Sequence, residues 1–341
     1  MSAAAVELRA TGTTLRGMTR FPISDHCDGQ LFFNPGSVPS AHGLRQVARW
    51  QRQRQRAEWP RRVVDPPFPA PPEVVPERDV AVTFVNHATF LLRLDGLVVL
   101  TDPIFSERCS PLSWAGPRRA RAPGVALAGL PRPDLILLSH NHYDHMDLPT
   151  LRALRRRHAP PVVTMLGNAA KLARLGIVAT ELDWWQETSL AGVRITATPA
   201  RHFAARTPWD RNRTLWGGFM LHHRHGQVLF AGDSGAGAHW QAIGSRLGAP
   251  DVALLPIGAY EPRWFMSAVH MNPEEAVAAH LALGARRSVG MHFGTFQLTD
   301  EPIDAPLHAL AAAREAAGLD PDAFTVHGFG ETRLYPLGES G

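Results

Sequence analysis

The chain has 341 residues and a mass of 37.3 kDa, enough to bury a core without disulfide staples. With 45% hydrophobic and 19% charged residues it reads as globular, and no run nears the roughly 18 apolar residues of a membrane helix. The formal net charge of +4 is too weak to argue for nucleic-acid binding, so no nucleic-acid partner is expected.

Residues 1–17 lack the apolar stretch of a secretory signal, so export by that route is not expected. Cys27 and Cys109 are too few for a disulfide framework and read as reduced thiols of a cytoplasmic protein. Residues 1–79 read as an N-terminal arm. Within it, 41–58 predicts a basic helix carrying Arg45, Arg49, Arg52, Arg54 and Arg56, followed by a proline-rich, extended connector at 64–76. The plain reading of that helix is a solvated face; the sharper one is an arm that touches anionic lipid.

Residues 80–341 read as one α/β domain. Strands are predicted at 80–85, 91–94 and 97–100, the last two joined by the hairpin signal Asp95-Gly96. The apolar run 134–139 predicts a buried strand and 148–158 a helix. Strands follow at 161–165, 193–198, 219–222, 227–230, 252–256 and 288–291, and helices at 168–175, 273–283 and 305–317. Asn272-Pro273-Glu274-Glu275 is a strong helix start.

The chemistry concentrates in Ser139-His140-Asn141-His142-Tyr143-Asp144-His145, written H-x-H-x-D-H, between a buried strand and a helix. Alternate residues in an extended turn let His140 and His142 grip one ion, while Asp144 and His145 reach a second. His202, Asp233 and His292 each follow a predicted strand, where open α/β sheets gather ligands. Five imidazoles and two carboxylates suit zinc, with iron or manganese as alternatives. The chemistry they imply is hydrolysis at a shared, acidified water. Gly232-Asp233-Ser234-Gly235 has the look of a serine-protease nucleophile segment, but nothing else in the chain fits that pattern.

These ligands resemble those of the metallo-β-lactamase superfamily, whose fold is a four-layer αβ/βα sandwich. Residues 97–106, 138–147, 181–187 (ELDWWQE), 229–234, 256–266 (PIGAYEPRWFM) and 292–296 resemble the N-acyl-phosphatidylethanolamine-hydrolysing phospholipase D family. The similarity runs from about residue 80 to 334 and leaves the N-terminal extension outside it. It implies a phosphodiesterase with two zinc ions that releases phosphatidic acid and an N-acylethanolamine. One ion would take His140, His142 and His202, the other Asp144, His145 and His292, with Asp233 bridging. His270 would face the substrate, so that Asp144, Asp233 and His270 form the catalytic set. His87 and Asp102 would orient ligands, and Asn86, in place of the family's glycine, would alter the local turn.

The resemblance also implies a phospholipid substrate, peripheral contact with the inner membrane surface and a homodimer. Leu31, Phe32, Phe33, Trp50, Trp59 and Phe68 are the candidates for lipid contact, although packing onto the domain is the favoured reading. Related branches cleave soluble lactones, cyclic phosphodiesters or RNA, and these form the alternative substrates.

Overall fold

The computed structural model describes residues 20–36 and 43–338, so the stretch without a signal-type core, 1–17, lies outside the described residues. In chain order the elements are α1 (Leu44–Gln53), β1 (Asp79–Asn86), β2 (Thr89–Leu94), β3 (Leu97–Thr101), β4 (Leu135–Leu138), α2 (Leu148–Arg157), β5 (Val162–Met165), α3 (Ala169–Ala173), β6 (Ala179–Leu182) and β7 (Glu187–Leu190). They continue with β8 (Val193–Thr198), β9 (Gly218–His223), β10 (Gly226–Phe230), α4 (His239–Leu247), β11 (Val252–Pro256), α5 (Arg263–Met266), α6 (Pro273–Leu283), β12 (Arg287–Met291), α7 (Ala305–Ala316), β13 (Phe324–Thr325) and β14 (Thr332–Pro336).

The strands form two seven-stranded sheets, ordered β14-β1-β2-β3-β4-β5-β6 and β13-β12-β11-β10-β9-β8-β7. Val82 and Phe84 of the first sheet share one buried cluster with Leu229 and Leu255 of the second, so the main core lies between the sheets. On the outer face of the first sheet, Val85, Leu91, Ile136 and Leu138 pack with Leu151 and Leu154 of α2. Helix α6 packs against both α4 and α7 and lies on β11. The result is the four-layer sandwich of the metallo-β-lactamase type.

Local sequence explains the edges of these elements. Asp95 and Gly96, at φ 45° and 82°, form the two-residue turn that pairs Leu94 with Leu97. Helix α6 starts where predicted, because the Asn272 side chain accepts from the Glu275 amide and Glu275 answers to the Asn272 amide. Helix α1 is shorter than the predicted 41–58, of which 41–42 lie outside the described residues. Its chain turns extended at Arg54, whose guanidinium meets Asp300 at 2.8 Å, and Trp50 Nε1 donates to the same carboxylate at 2.8 Å. That tertiary anchor outweighs the helical propensity of the residues beyond. The predicted helix 168–175 is trimmed to α3, with Asn168 at its N-terminal boundary.

Residues 20–36 pack on the domain, with Phe21, Cys27 and Phe32 in the main core cluster. Both cysteines are free and buried. Among the described residues, no helix is long and apolar enough to cross a membrane.

Candidate metal centre

Most candidate side chains sit at or just past the carboxyl end of a strand, Asp102 after β3, His140 after β4, His202 after β8, Asp233 after β10 and His292 after β12, whereas His270 lies between α5 and α6. The two residues His87 and Ala88 form the turn between β1 and β2. Positive φ falls on His87, at 50°, while Asn86 stays in its strand and donates to the Ile104 carbonyl at 3.2 Å. The turn therefore accommodates Asn86 without a glycine.

His140 Nε2 and His202 Nε2 lie 2.8 and 3.2 Å from His142 Nδ1, so three ring nitrogens meet at one point. The far nitrogens of two of these rings are held from behind. His140 Nδ1 is 2.9 Å from Ser139 Oγ, and His202 Nδ1 donates to the Val269 carbonyl at 3.0 Å. A second group forms around Asp144. Its Oδ2 lies 3.4 Å from both His145 Nε2 and His292 Nε2, and 2.9 Å from His87 Nε2. Asp233 Oδ2 stands between the groups, 3.0 Å from His292 Nε2, 3.1 Å from His145 Nε2 and 3.7 Å from His202 Nε2. Behind His145, Asp102 accepts from Nδ1 at 2.6 Å and from the Ser139 amide at 2.8 Å.

All the residues singled out in the sequence thus come together. Potential ligand atoms of His140, His142 and His202 fall within 4.8 Å of one another, as do those of His87, Asp144, His145 and His292. His202, Asp233 and His270 make a further such group. His87 is nearer than an outer partner need be, because it touches Asp144 directly.

Protonation follows from burial and charge. Burial, reinforced by neighbouring histidines, holds His140 well below its ordinary value, and pushes His142 and His87 down to about 3 and His202 to about 4. For His145 and His292 burial also disfavours charge, but Asp233 and Asp144 outweigh it. They lift His145 well above the usual range and His292 to about 9. Asp144 and Asp233 in turn stay ionised despite burial, because His145 and its neighbours hold them far below the carboxylate range.

The donor set fits divalent metal. His145 Nε2, His292 Nε2 and Asp233 Oδ1 are buried and have no hydrogen-bond partner. Buried polar atoms rarely go unpaired, and here the unpaired imidazole nitrogens face carboxylate oxygens at distances suited to sharing a cation. Gly232 lets the chain make this approach. At φ 62°, a Cβ there would meet the Gly217 carbonyl and Ser139 Cβ at 2.7 Å.

A cavity of about 590 Å³ opens onto His142, Asp144, Asp233, His270 and His292. Its walls are largely apolar, including Val47 and Trp50 of α1, Phe203, Phe265, Met266, Val269 and Leu298, with Thr207, Arg211 and Thr299 as polar members. Trp50 stacks on Phe265 at 4.8 Å. Of the lipid-contact candidates, Phe32 is core, Trp50 lines this cavity, and Trp59 Nε1 donates to the Glu301 carbonyl at 2.8 Å. Leu31, Phe33 and Phe68 keep exposed surface. Ser234 is fully buried, with its hydroxyl shared between the Arg201 amide and His239 Nε2, which excludes it as an exposed nucleophile.

Sequence reading missed Arg206. Its Nη1 donates to the carbonyls of Asn141 and Met146 at 2.7 and 2.8 Å, and its guanidinium lies 3.8 Å from the Tyr143 ring centre. It braces the H-x-H-x-D-H loop through main-chain atoms, and its spacing four residues after His202 was the one available signal.

Comparison with known proteins shows the family and the fold. Residues 98–293 match the Beta-lactamase superfamily domain. An uncharacterized protein of Mycobacterium tuberculosis is 41% identical over 242 residues, 69% of this chain and 64% of that protein, so the chain spans less than two thirds of that relative's length. N-acyl-phosphatidylethanolamine-hydrolyzing phospholipase D 1 of Caenorhabditis elegans is 32% identical over 332 residues, 89% of this chain and 92% of that protein. A solved metallo hydrolase from Ignicoccus hospitalis is similar in fold, with a TM-score of 0.58 at 24% identity over 76% of this chain and 99% of that one.

Proposed function

This chain belongs to the metallo-β-lactamase superfamily as a metal-dependent hydrolase that resembles the N-acyl-phosphatidylethanolamine-hydrolysing phospholipases D, and we propose that it cleaves N-acyl-phosphatidylethanolamine to phosphatidic acid and an N-acylethanolamine. The observation that carries this reading is the apolar cavity opening directly onto the paired histidine and carboxylate groups. A soluble polar substrate has no use for walls of Trp50, Phe203, Phe265 and Met266, whereas acyl chains do.

His140, His142 and His202 would hold one ion, Asp144, His145 and His292 the other, and Asp233 would touch both. Zinc suits this donor set, with iron or manganese as alternatives. Two such ions, when bound, supply Lewis acidity and a water acidified towards neutral pH. The remaining work falls to the chain. Asp144 and Asp233 provide the fixed negative charge, and Asp102 and Ser139 hold His145 and His140 in register. His270 lines the cavity beside His202 and His292, where it would face the substrate and assist proton transfer between water and the departing alcohol. The apolar walls hold the acyl chains and exclude bulk water. Exposed Arg45, Arg49 and Arg52 on α1, beside the cavity, suit approach from an anionic lipid surface on the cytoplasmic side.

A substrate panel tests the reading. We expect turnover of dispersed N-acyl-phosphatidylethanolamine, and little or none of soluble lactones, cyclic phosphodiesters or RNA. Turnover confined to the soluble compounds would move the assignment to them.

Metal loading carries its own signature. In the metal-free chain Asp233 and Asp144 favour the protonated form of both rings, raising His292 to about 9 and His145 well above its ordinary value, whereas an ion accepts only neutral imidazole. Zinc binding is therefore expected to release protons at pH 7.5, fewer from His292 as pH rises through about 9. Apparent affinity should rise over the same interval. Calorimetry in buffers of different ionisation heat reads the number, and zinc uptake without proton release would contradict it.

A further inference from the structure

We infer that Asn34 is a positioning residue of the metal centre, so that segment 20–36 completes a site whose ligands all lie far downstream. The inference rests on the metal-binding reading above. Asn34 is 2% exposed. Its Oδ1 accepts from the His202 amide at 3.2 Å, and its Nδ2 donates to the His202 carbonyl at 3.1 Å. One side-chain amide thus satisfies both main-chain groups of a single residue, as a neighbouring strand would. His202 needs this support because it lies beyond β8, where the chain has left the ladder.

The ring and the main chain of His202 are fixed separately. The Val269 carbonyl accepts a hydrogen bond from Nδ1–H, which leaves the Nε2 lone pair facing His142. Asn34 fixes the backbone from which that ring hangs. Without the amide, the ring keeps its Val269 contact while the backbone is free to shift, and Nε2 loses its register with His140 and His142.

Asn34 is itself held firmly. Phe21, Cys27 and Phe32 sit in the main core. The Phe32 amide donates to the Asn212 carbonyl at 2.8 Å, so the segment grips the loop after His202 at Asn212, whose own amide ties back to the Ala204 carbonyl at 2.7 Å. His26 is stacked on Trp184 at 4.3 Å, with Nε2 2.8 Å from Asp183 Oδ1. Pro35 biases Asn34 towards the extended conformation.

The test is cobalt titration of the full chain, wild type against Asn34→Ala and Asn34→Asp, read by stepwise affinity and visible absorption. Thermal unfolding of each metal-free chain is followed alongside. The wild type should take up two cobalt ions. Asn34→Ala should weaken one step by about 10–100-fold, the cost of losing a group that orients a ligand, and should alter the cobalt spectrum. Asn34→Asp keeps the acceptor for the His202 amide and should fall between the two, and it decides the matter if the alanine variant does not fold. Unchanged steps and spectrum overturn the inference, even with a lowered unfolding temperature, since that is what a purely structural role gives. A wild type that binds no cobalt overturns the metal reading and this inference with it.

Discussion

Replacing Asp233 with asparagine is expected to abolish turnover while leaving the chain folded. Asp233 Oδ2 lies 3.0 to 3.7 Å from the Nε2 atoms of His292, His145 and His202, so one atom serves both ligand groups. Asparagine keeps the volume but removes the anion, and its amide turns N–H donors or a weaker oxygen towards nitrogens that need a shared cation. The activity lost should be at least about 10²–10³-fold, the size attached to one preorganised electrostatic group, and metal content should fall with it. Circular dichroism of the variant checks the fold, metal analysis the ions and turnover the chemistry. Activity within tenfold of wild type, with two ions retained, would contradict the role given to Asp233.

The Asp102→Ala substitution should be felt in stability first. Asp102 is fully buried and accepts from the Ser139 amide, the Ser139 hydroxyl and His145 Nδ1. Alanine strands all three donors, one of them an imidazole whose charged form the surrounding carboxylates favour. Breaking a buried pair of this kind costs about 3–5 kcal/mol. Alanine also inherits φ 28°, a region that disfavours a side chain without a local hydrogen bond. Metal affinity should drop about 10–100-fold, because His145 loses the group that sets its ring. Asp102→Asn, which keeps an acceptor, should recover part of both. Denaturant unfolding of the metal-free chain and a zinc titration read the two effects. A loss of affinity without destabilisation would mean that Asp102 acts on the metal by another route.

Legibility in the sequence tracked burial. The run 134–139 reads as a strand because β4 is covered on both faces, and Val193–Thr198 and Val252–Pro256 are found where predicted. Strands β6 and β7 went unread, since ATEL and ETSL lie at the edges of their sheets and keep polar, half-exposed positions. Helix α4 was missed as well: Trp240, Ile243 and Leu247 are spaced as one helical face, but Gly244 inside it and Gly248 after it read as loop signals. The ligand cluster was legible because imidazoles and carboxylates at strand ends have few other uses. Asn34 and Arg206 were not, because both act through main-chain carbonyls and amides, and such contacts leave no residue pattern to read. The cavity walls were equally hidden, since α1 and α5 meet through side chains far apart in the sequence, Trp50 stacked on Phe265 and Arg49 over Trp264.

The most direct test is to present N-acyl-phosphatidylethanolamine vesicles to the zinc-loaded protein, then to the same protein after chelation and after zinc is restored, with products identified by mass spectrometry. The account predicts N-acylethanolamine and phosphatidic acid in equal amounts, lost with the metal and regained with it. Protein that holds its metal yet releases neither product would contradict the assignment, and release that survives chelation would contradict the metal-dependent mechanism.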